Sequence, residues 1–179
     1  VGDASTTISV ASMLQRDHGP TLLADNQAIG NTTSTQCLSW WESNIRGHEG
    51  RVVILGCGIN DLGASIPAAT TQANLAQIET EAVADGAAVI YATYNPISNA
   101  PAWTPTFQTT INAMRAWMFG RASRPTVYVA DNYLLLGDAG TALLAGYDTG
   151  DGVHQNGTAN AVLESNFRGM CADAGLPCN

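Results

Sequence analysis

Asp151 and His154 stand three residues apart in the segment DGVH of a 179-residue chain. One short turn brings both side chains to a single point, where a carboxylate can hold an imidazole in one tautomer and stabilise its protonated form. Asn60 and Asp61 sit in a second segment, GCGINDLG, after Gly58, and Gly30 sits in a third, NQAIGNTT. The chain opens on a fourth, VGDAST, in which Ala4 follows Asp3. Taken singly, each has a plainer explanation. Asp151-Gly152 is a turn signal, His154 a surface or helix-start residue, Asn60-Asp61 a cap, and Gly30 loop punctuation. His18 and His48 lie in polar, Gly-flanked segments and read as surface residues.

The elements that must position these groups are legible as an alternation. Short apolar runs rich in Val, Ile and Tyr occupy Thr21 to Asp25, Arg51 to Cys57, Ala87 to Thr93 and Pro125 to Asp131. Strands buried on both faces of a parallel sheet read this way. Between them, apolar residues three and four apart mark helix faces. The sets are Ile8, Ala11 and Leu14; Leu38, Trp41 and Ile45; Leu75, Ile78 and Ala82; Phe107, Ile111, Met114 and Met118; and Ala159, Leu163 and Phe167. Pro67 and Pro105 suit helix starts, and Asp85-Gly86 suits a helix exit. The alternation predicts an α/β sandwich built as a single domain over residues 1–179. VGD reads as the end of a first strand, so either upstream residues complete that strand or the sheet is one strand short. Two long stretches read as irregular, Tyr94 to Pro105 and Asn132 to Gly150. Ligands of parallel sheets bind beyond the carboxyl ends of the strands, and three of the four chemical segments fall just after expected strands. The fourth, DGVH, precedes the last helix.

In that order and on that pattern, GDAST, Gly30, GIND and DGVH resemble the four sequence blocks of the SGNH/GDSL hydrolases, a family of serine esterases and lipases. The resemblance covers nearly the whole chain. It implies a three-layer α/β/α sandwich with a parallel sheet, of flavodoxin-like type. It also implies His154 as the general base, Asp151 as its orienting partner, and an oxyanion hole made by the backbone N–H of residue 4, the N–H of Gly30 and the amide of Asn60. Such donors stabilise the tetrahedral intermediate of acyl transfer. One position departs from the family pattern: Ala4 stands where the nucleophilic serine belongs. Ser5 is no substitute, because a one-residue shift turns its hydroxyl away from the base. The chain then reads either as an engineered serine-to-alanine form or as a natural relative that kept binding without chemistry. The intact partners favour the first, since drift would erode them too. Alanine keeps the backbone N–H, so the oxyanion donors survive the change.

Composition narrows the partners. The formal net charge is −8, all seven basic residues are arginine, and no basic cluster exists, which disfavours nucleic acid and anionic surfaces. The apolar runs are too short to span a bilayer, and no signal-peptide pattern stands at the amino end. No cofactor motif is present: the phosphate-binding glycine pattern of a flavodoxin-like cofactor binder is missing. Of four cysteines, Cys171 and Cys178 flank a Gly and a Pro and suit a small disulfide loop, and Cys37 and Cys57 would bridge if the fold joined them. The alternative is four free thiols. Localisation stays open, with an extracytoplasmic site favoured if the Cys171–Cys178 bridge forms. Oligomeric state is also open.

The expected substrate is a small acyl ester or an acetylated carbohydrate, with a lean to the latter because the chain is short and lacks an obvious lid. Trp103 either stacks on a sugar ring or anchors its loop. Leu134, Leu135, Leu136, Leu143 and Leu144 either line an acyl pocket or cover the sheet. Trp40, Trp41 and Trp117 read as packing residues, although the adjacent pair cannot both face inward. The alternative function is a non-catalytic module that binds an acylated glycan.

Overall fold

The structure is a computed structural model that describes residues 26–47, 50–138 and 141–176. The expected strand at Thr21 to Asp25 and the helix around Ile8, Ala11 and Leu14 lie outside the described residues, as do Ala4, His18, His48 and Cys178. The elements in order are α1 (Ser34–Trp40), which continues as a π-helical turn (Trp41–Ile45), then β1 (Val52–Leu55), α2 (Ile59–Gly63), α3 (Ala68–Ala84), β2 (Ala88–Ala92), α4 (Pro105–Arg121), β3 (Val127–Ala130), α5 (Asn132–Leu136) and α6 (Gly157–Asp173). The three expected strands and four expected helices among the described residues are all present, with strand ends drawn in by one or two residues. One addition is α5, inside a stretch expected to be irregular. Asp131 starts it by accepting the Leu134 N–H with its side chain.

Contacts divide the chain into two compact units, one comprising Val1–Gly30, Asn95–Gln108 and Ala130–Asn179, the other Asn31–Tyr94 and Thr109–Val129. The second unit holds the sheet, in the order β1-β2-β3. β1 and β2 are parallel, with Val52 opposite Ala88 and Leu55 opposite Tyr91. Every residue of β2 is buried, as a central strand covered on both faces requires. β1 departs from that expectation: Ile54 is exposed, and among the described residues β1 pairs on one side only.

α3 packs on β2 and on α1. Its stripe, Leu75, Ile78 and Ala82, is fully buried, as are Ile111, Met114 and Met118 of α4. Each of these Leu, Ile and Met side chains contributes about 1.5–3 kcal/mol when removed from water. Trp41 is buried and Trp40 exposed, so one of the adjacent pair faces inward. Trp117 meets Tyr91 edge to face at 5.7 Å. Thr33 starts α1 with a capping box, its hydroxyl accepting from Gln36 N–H while the Gln36 side chain accepts from Thr33 N–H.

In the first unit α5 packs on α6. Ala159, Leu163 and Phe167 are buried along α6, and Leu136 and Leu143 are buried as well, while Leu134 stays exposed. Asn156 starts α6 by accepting the N–H groups of Thr158 and Ala159.

Of the two alternatives for Cys37 and Cys57, a bridge or free thiols, the structure has free thiols. Each thiol nonetheless shifts the ionisation of the other, Cys37 downward and Cys57 upward. Cys171 is disulfide-bonded, and its expected partner, Cys178, lies outside the described residues.

Candidate active site

The second unit builds a polar hub where β1 ends. The chain leaves β1 through Cys57 and turns at Gly58, whose φ is +109°. A Cβ there would strike the Tyr94 hydroxyl and would lie 2.6 Å from Thr71 Cγ2, so only glycine fits. The same Tyr94 hydroxyl donates to the Cys57 carbonyl at 3.1 Å. Burial, then the nearby Asp61 carboxylate and the two thiols, push the Tyr94 phenol up, so it remains a donor.

Asn60 follows, and its Nδ2 donates to the Thr32 carbonyl at 2.9 Å. That bond uses one of two amide hydrogens and fixes the plane of the carboxamide. Asp61 is buried, with 2% exposure. Its Oδ1 accepts Ser34 N–H at 2.7 Å, and its Oδ2 accepts Ser34 Oγ–H at 2.5 Å and Thr71 Oγ1–H at 2.6 Å. Asn74 Nδ2 adds a bond to Ser34 Oγ at 2.9 Å. A buried carboxylate is tolerable only with such partners. Here they tie the residues after Asn31 to the segment that carries Asn60.

The first unit carries the histidine and its carboxylate. Asp151 and His154 meet as their spacing requires, with Nδ1 and Oδ2 2.6 Å apart. The other carboxylate oxygen accepts the N–H groups of Val153 and His154, each at 2.8 Å. Partial burial raises the Asp151 carboxyl, but the bonds from the His154 N–H, the imidazole and the Val153 N–H outweigh it and hold the group well below the usual carboxylate range. Both side chains are about half exposed, so the imidazole is reachable. Asn95 pins the turn from outside, donating to Gln155 Oε1 at 2.7 Å and the Val153 carbonyl at 3.3 Å. Gly152, φ +73°, lies against the backbone of Asn99 and Ala100, where a Cβ would come within 2.7 Å of three backbone atoms.

Gly30 is exposed, and a Cβ there would meet no atom within 4 Å. Trp103 is half-buried, and its indole N–H is buried without a hydrogen-bond partner. Gly30, Trp103, Asp151 and His154 belong to the first unit and Asn60 to the second, while Ala4 lies outside the described residues. The supporting residues Thr32, Ser34, Thr71, Tyr94, Asn95 and Asp148 escape sequence reasoning. The one available signal was at Asp148, where Asp-Thr-Gly carries the mark of a side chain that bonds the backbone two residues on. Among the described residues no group of His, Cys, Asp and Glu could hold a metal ion, and no helix is long and apolar enough to cross a membrane.

Parallel strands alternating with helices define an α/β protein. The chain belongs to the GDSL-like lipase/acylhydrolase family, whose sequence profile matches residues 2–162. No curated protein sequence matches it. Solved structures do. A protein assigned to the lipolytic G-D-S-L family, from Desulfitobacterium hafniense, superposes with a TM-score of 0.78 at 18% identity, covering 92% of this chain and 89% of that one. A GDSL-like lipase from Bacteroides thetaiotaomicron gives 0.74 at 19% identity, covering 92% and 84%. A catalytic mutant of an acetylxylan esterase from Geobacillus stearothermophilus gives 0.74 at 15% identity, covering 94% and 81%. These likenesses show the fold, which is the α/β/α fold of the SGNH hydrolases.

Proposed function

We propose that this chain is a serine-type carboxylic-ester hydrolase in a nucleophile-free form, with Ala4 in the place of the attacking serine. The observation that carries the reading is the 2.6 Å contact between His154 Nδ1 and Asp151 Oδ2, on a carboxylate held ionised. A carboxylate so placed keeps the proton on Nδ1 and leaves Nε2 free to accept one. With serine at position 4, His154 takes the hydroxyl proton as oxygen attacks the acyl carbon and returns it to the leaving alcohol. It then draws a proton from water as that water attacks the acyl-serine, and returns it to the serine oxygen as the acid leaves. Asp151 stabilises the imidazolium between those steps. The N–H groups of residue 4 and Gly30 and the second amide hydrogen of Asn60 receive the oxyanion. Without the hydroxyl, binding and these donors leave only a residual rate, of order ~10³–10⁴ over water in serine hydrolases.

The substrate proposed is an O-acetyl ester on a carbohydrate, with Trp103 as the ring on which the sugar stacks. The chain's structural likeness to an acetylxylan esterase supports that class. Restoring Ala4→Ser tests the reading: hydrolysis of p-nitrophenyl acetate should appear, and His154→Ala in that background should remove it. An ester panel with the restored chain then ranks acetylated xylan oligosaccharides against longer acyl esters. The alanine itself favours one other reading, a binding module for acylated glycan. That reading predicts glycan binding by the chain as it stands and no hydrolysis after Ala4→Ser.

A further inference from the structure

The turn that carries Asp151 and His154 contains a second carboxylate. Asp148 Oδ1 accepts the N–H groups of Gly150 at 2.8 Å and Gly152 at 3.0 Å. Its Oδ2 accepts from Asn99 Nδ2 at 3.2 Å and shares the Gly152 N–H at the same distance. Three residues on, Asp151 repeats the arrangement with the N–H groups of Val153 and His154. Two carboxylates thus fold consecutive turns of one strip of backbone. The strip is closed by Thr149 N–H to the His154 carbonyl at 3.0 Å and by a bridge between Asp148 and Gln155.

Asp151 reaches the imidazole only while the backbone on either side of it keeps its left-handed glycines, with φ of +107° at Gly150 and +73° at Gly152. Both of those N–H groups end on Asp148. Glycine has more conformational freedom to lose than any other residue, so two of them flanking a functional aspartate need an external restraint. Asp148 supplies it, and through Asn99 it also fixes the turn to the segment that packs on Gly152. Side chains that bond backbone two and four residues ahead impose local geometry in this way.

We infer that Asp148 is a positioning residue for the Asp151–His154 pair, setting the turn from which Asp151 grips the imidazole. The kinetic consequence rests on the hydrolase reading, whereas the geometric consequence holds in the chain as it stands. In the unaltered Ala4 chain, imidazole 15N shifts report the tautomer of His154. Asp148→Ala should abolish the preference for the Nδ1–H form, and Asp148→Asn, which keeps an acceptor oxygen for the glycine N–H groups, should retain it. In the Ala4→Ser chain, Asp148→Ala should lower kcat by about tenfold to hundredfold, the scale of a misplaced catalytic group, with KM little changed, and Asp148→Asn should restore most of it. Asn99→Ala, which removes one anchor of the carboxylate, should act in the same direction by a smaller factor and serves if Asp148→Ala does not fold. An unchanged tautomer and an unchanged kcat in Asp148→Ala, or a loss in Asp148→Asn as large as in Asp148→Ala, would overturn the inference. Absence of any activity in the Ala4→Ser parent would count against the hydrolase reading alone and leave the tautomer measurement to decide the role of Asp148.

Discussion

Asn60 donates one amide hydrogen to the Thr32 carbonyl at 2.9 Å, and Thr32 lies two residues beyond Gly30 in the chain. The carboxamide of one sequence block is thereby fixed to the segment that follows another, and Asp61 reinforces the junction through Ser34. If the remaining amide hydrogen receives the oxyanion, Asn60→Ala in the Ala4→Ser chain should lower kcat about 10²–10³-fold, the loss typical of one oxyanion donor. KM should change little, because the ground-state carbonyl gains less from that donor. Equal kcat in the two chains would remove Asn60 from the oxyanion hole.

Gly58→Ala should be among the most damaging small substitutions in the chain. It places a Cβ against the Tyr94 hydroxyl at a φ that side chains avoid, a strain of about 1–3 kcal/mol before the collision is counted. Tyr94→Phe removes one of the colliding atoms at the expense of the bond to the Cys57 carbonyl. The two changes should therefore be non-additive, with the double variant less destabilised than the sum of the singles in urea unfolding. Strict additivity would show that the loop moves away from Tyr94.

Much of this arrangement was legible in the sequence, and the unread part shares one physical character. Leu75, Ile78 and Ala82 recur at helical spacing, so burial of one face follows directly from hydrophobic periodicity. Asp151 and His154 are close in sequence, so one turn joins them and their contact needs no knowledge of the fold. Asp61 reads in the sequence as part of the GIND block with no partner named, and it binds Ser34, 27 residues away. Tyr94 reaches Cys57 across 37 residues. Long-range polar partners leave no periodic trace, because a hydrogen bond asks only for a donor and an acceptor at one place. Ile54 shows the converse failure. Apolar composition predicted burial on both faces, but composition does not report which elements cover each residue of a strand.

Acidification should leave the Asp151–His154 turn intact to an unusual degree. A carboxyl whose folded pKa is depressed contributes stability that is complete above its ordinary value, near 3.8, and is lost as pH falls through the lower folded value. The amide resonances of Val153 and His154 should therefore show no carboxylate titration between pH 7 and about 4. Because the side chain is half exposed, the effect on global stability should be small. In the Ala4→Ser chain, Asp151→Asn should lower kcat by roughly 10⁴-fold through loss of the correct tautomer. A titration of those amides centred at or above the ordinary value would show that the hydrogen bonds do not hold the carboxylate.

Cys37 and Cys57 should differ sharply in reactivity. The hydrogen bond from Cys57 lowers the Cys37 thiol to about 7, against the opposing effect of burial and with help from Thr32, whose hydroxyl lies 3.4 Å from the sulfur. The same bond, together with burial, pushes Cys57 up. The thiolate is the reactive form, so iodoacetamide should modify Cys37 first, with a rate that rises through pH 7, as followed by peptide mass spectrometry. Equal labelling of both thiols at pH 7 would contradict the assignment of donor and acceptor.

The largest stability loss should come from a charge with no part in the chemistry. Glu79 on α3 is 1% exposed. Arg121 grips it with two bonds of 2.7 Å, the Tyr91 hydroxyl donates at 2.8 Å, and Arg124 adds a bond at 3.2 Å. Bonds to Glu79 raise the Arg121 guanidinium, and burial followed by Glu79 raises the Tyr91 phenol, so both remain donors. Glu79→Ala strands a guanidinium that is only 15% exposed and should cost about 3–5 kcal/mol in urea unfolding, as breaking a buried pair does. Arg124, whose side chain is 52% exposed, should cost no more than about 1 kcal/mol on replacement by alanine. The contrast separates network membership from burial: if Arg124→Ala destabilised as much as Glu79→Ala, the cluster would act as one unit whose exposed arm is as necessary as its core.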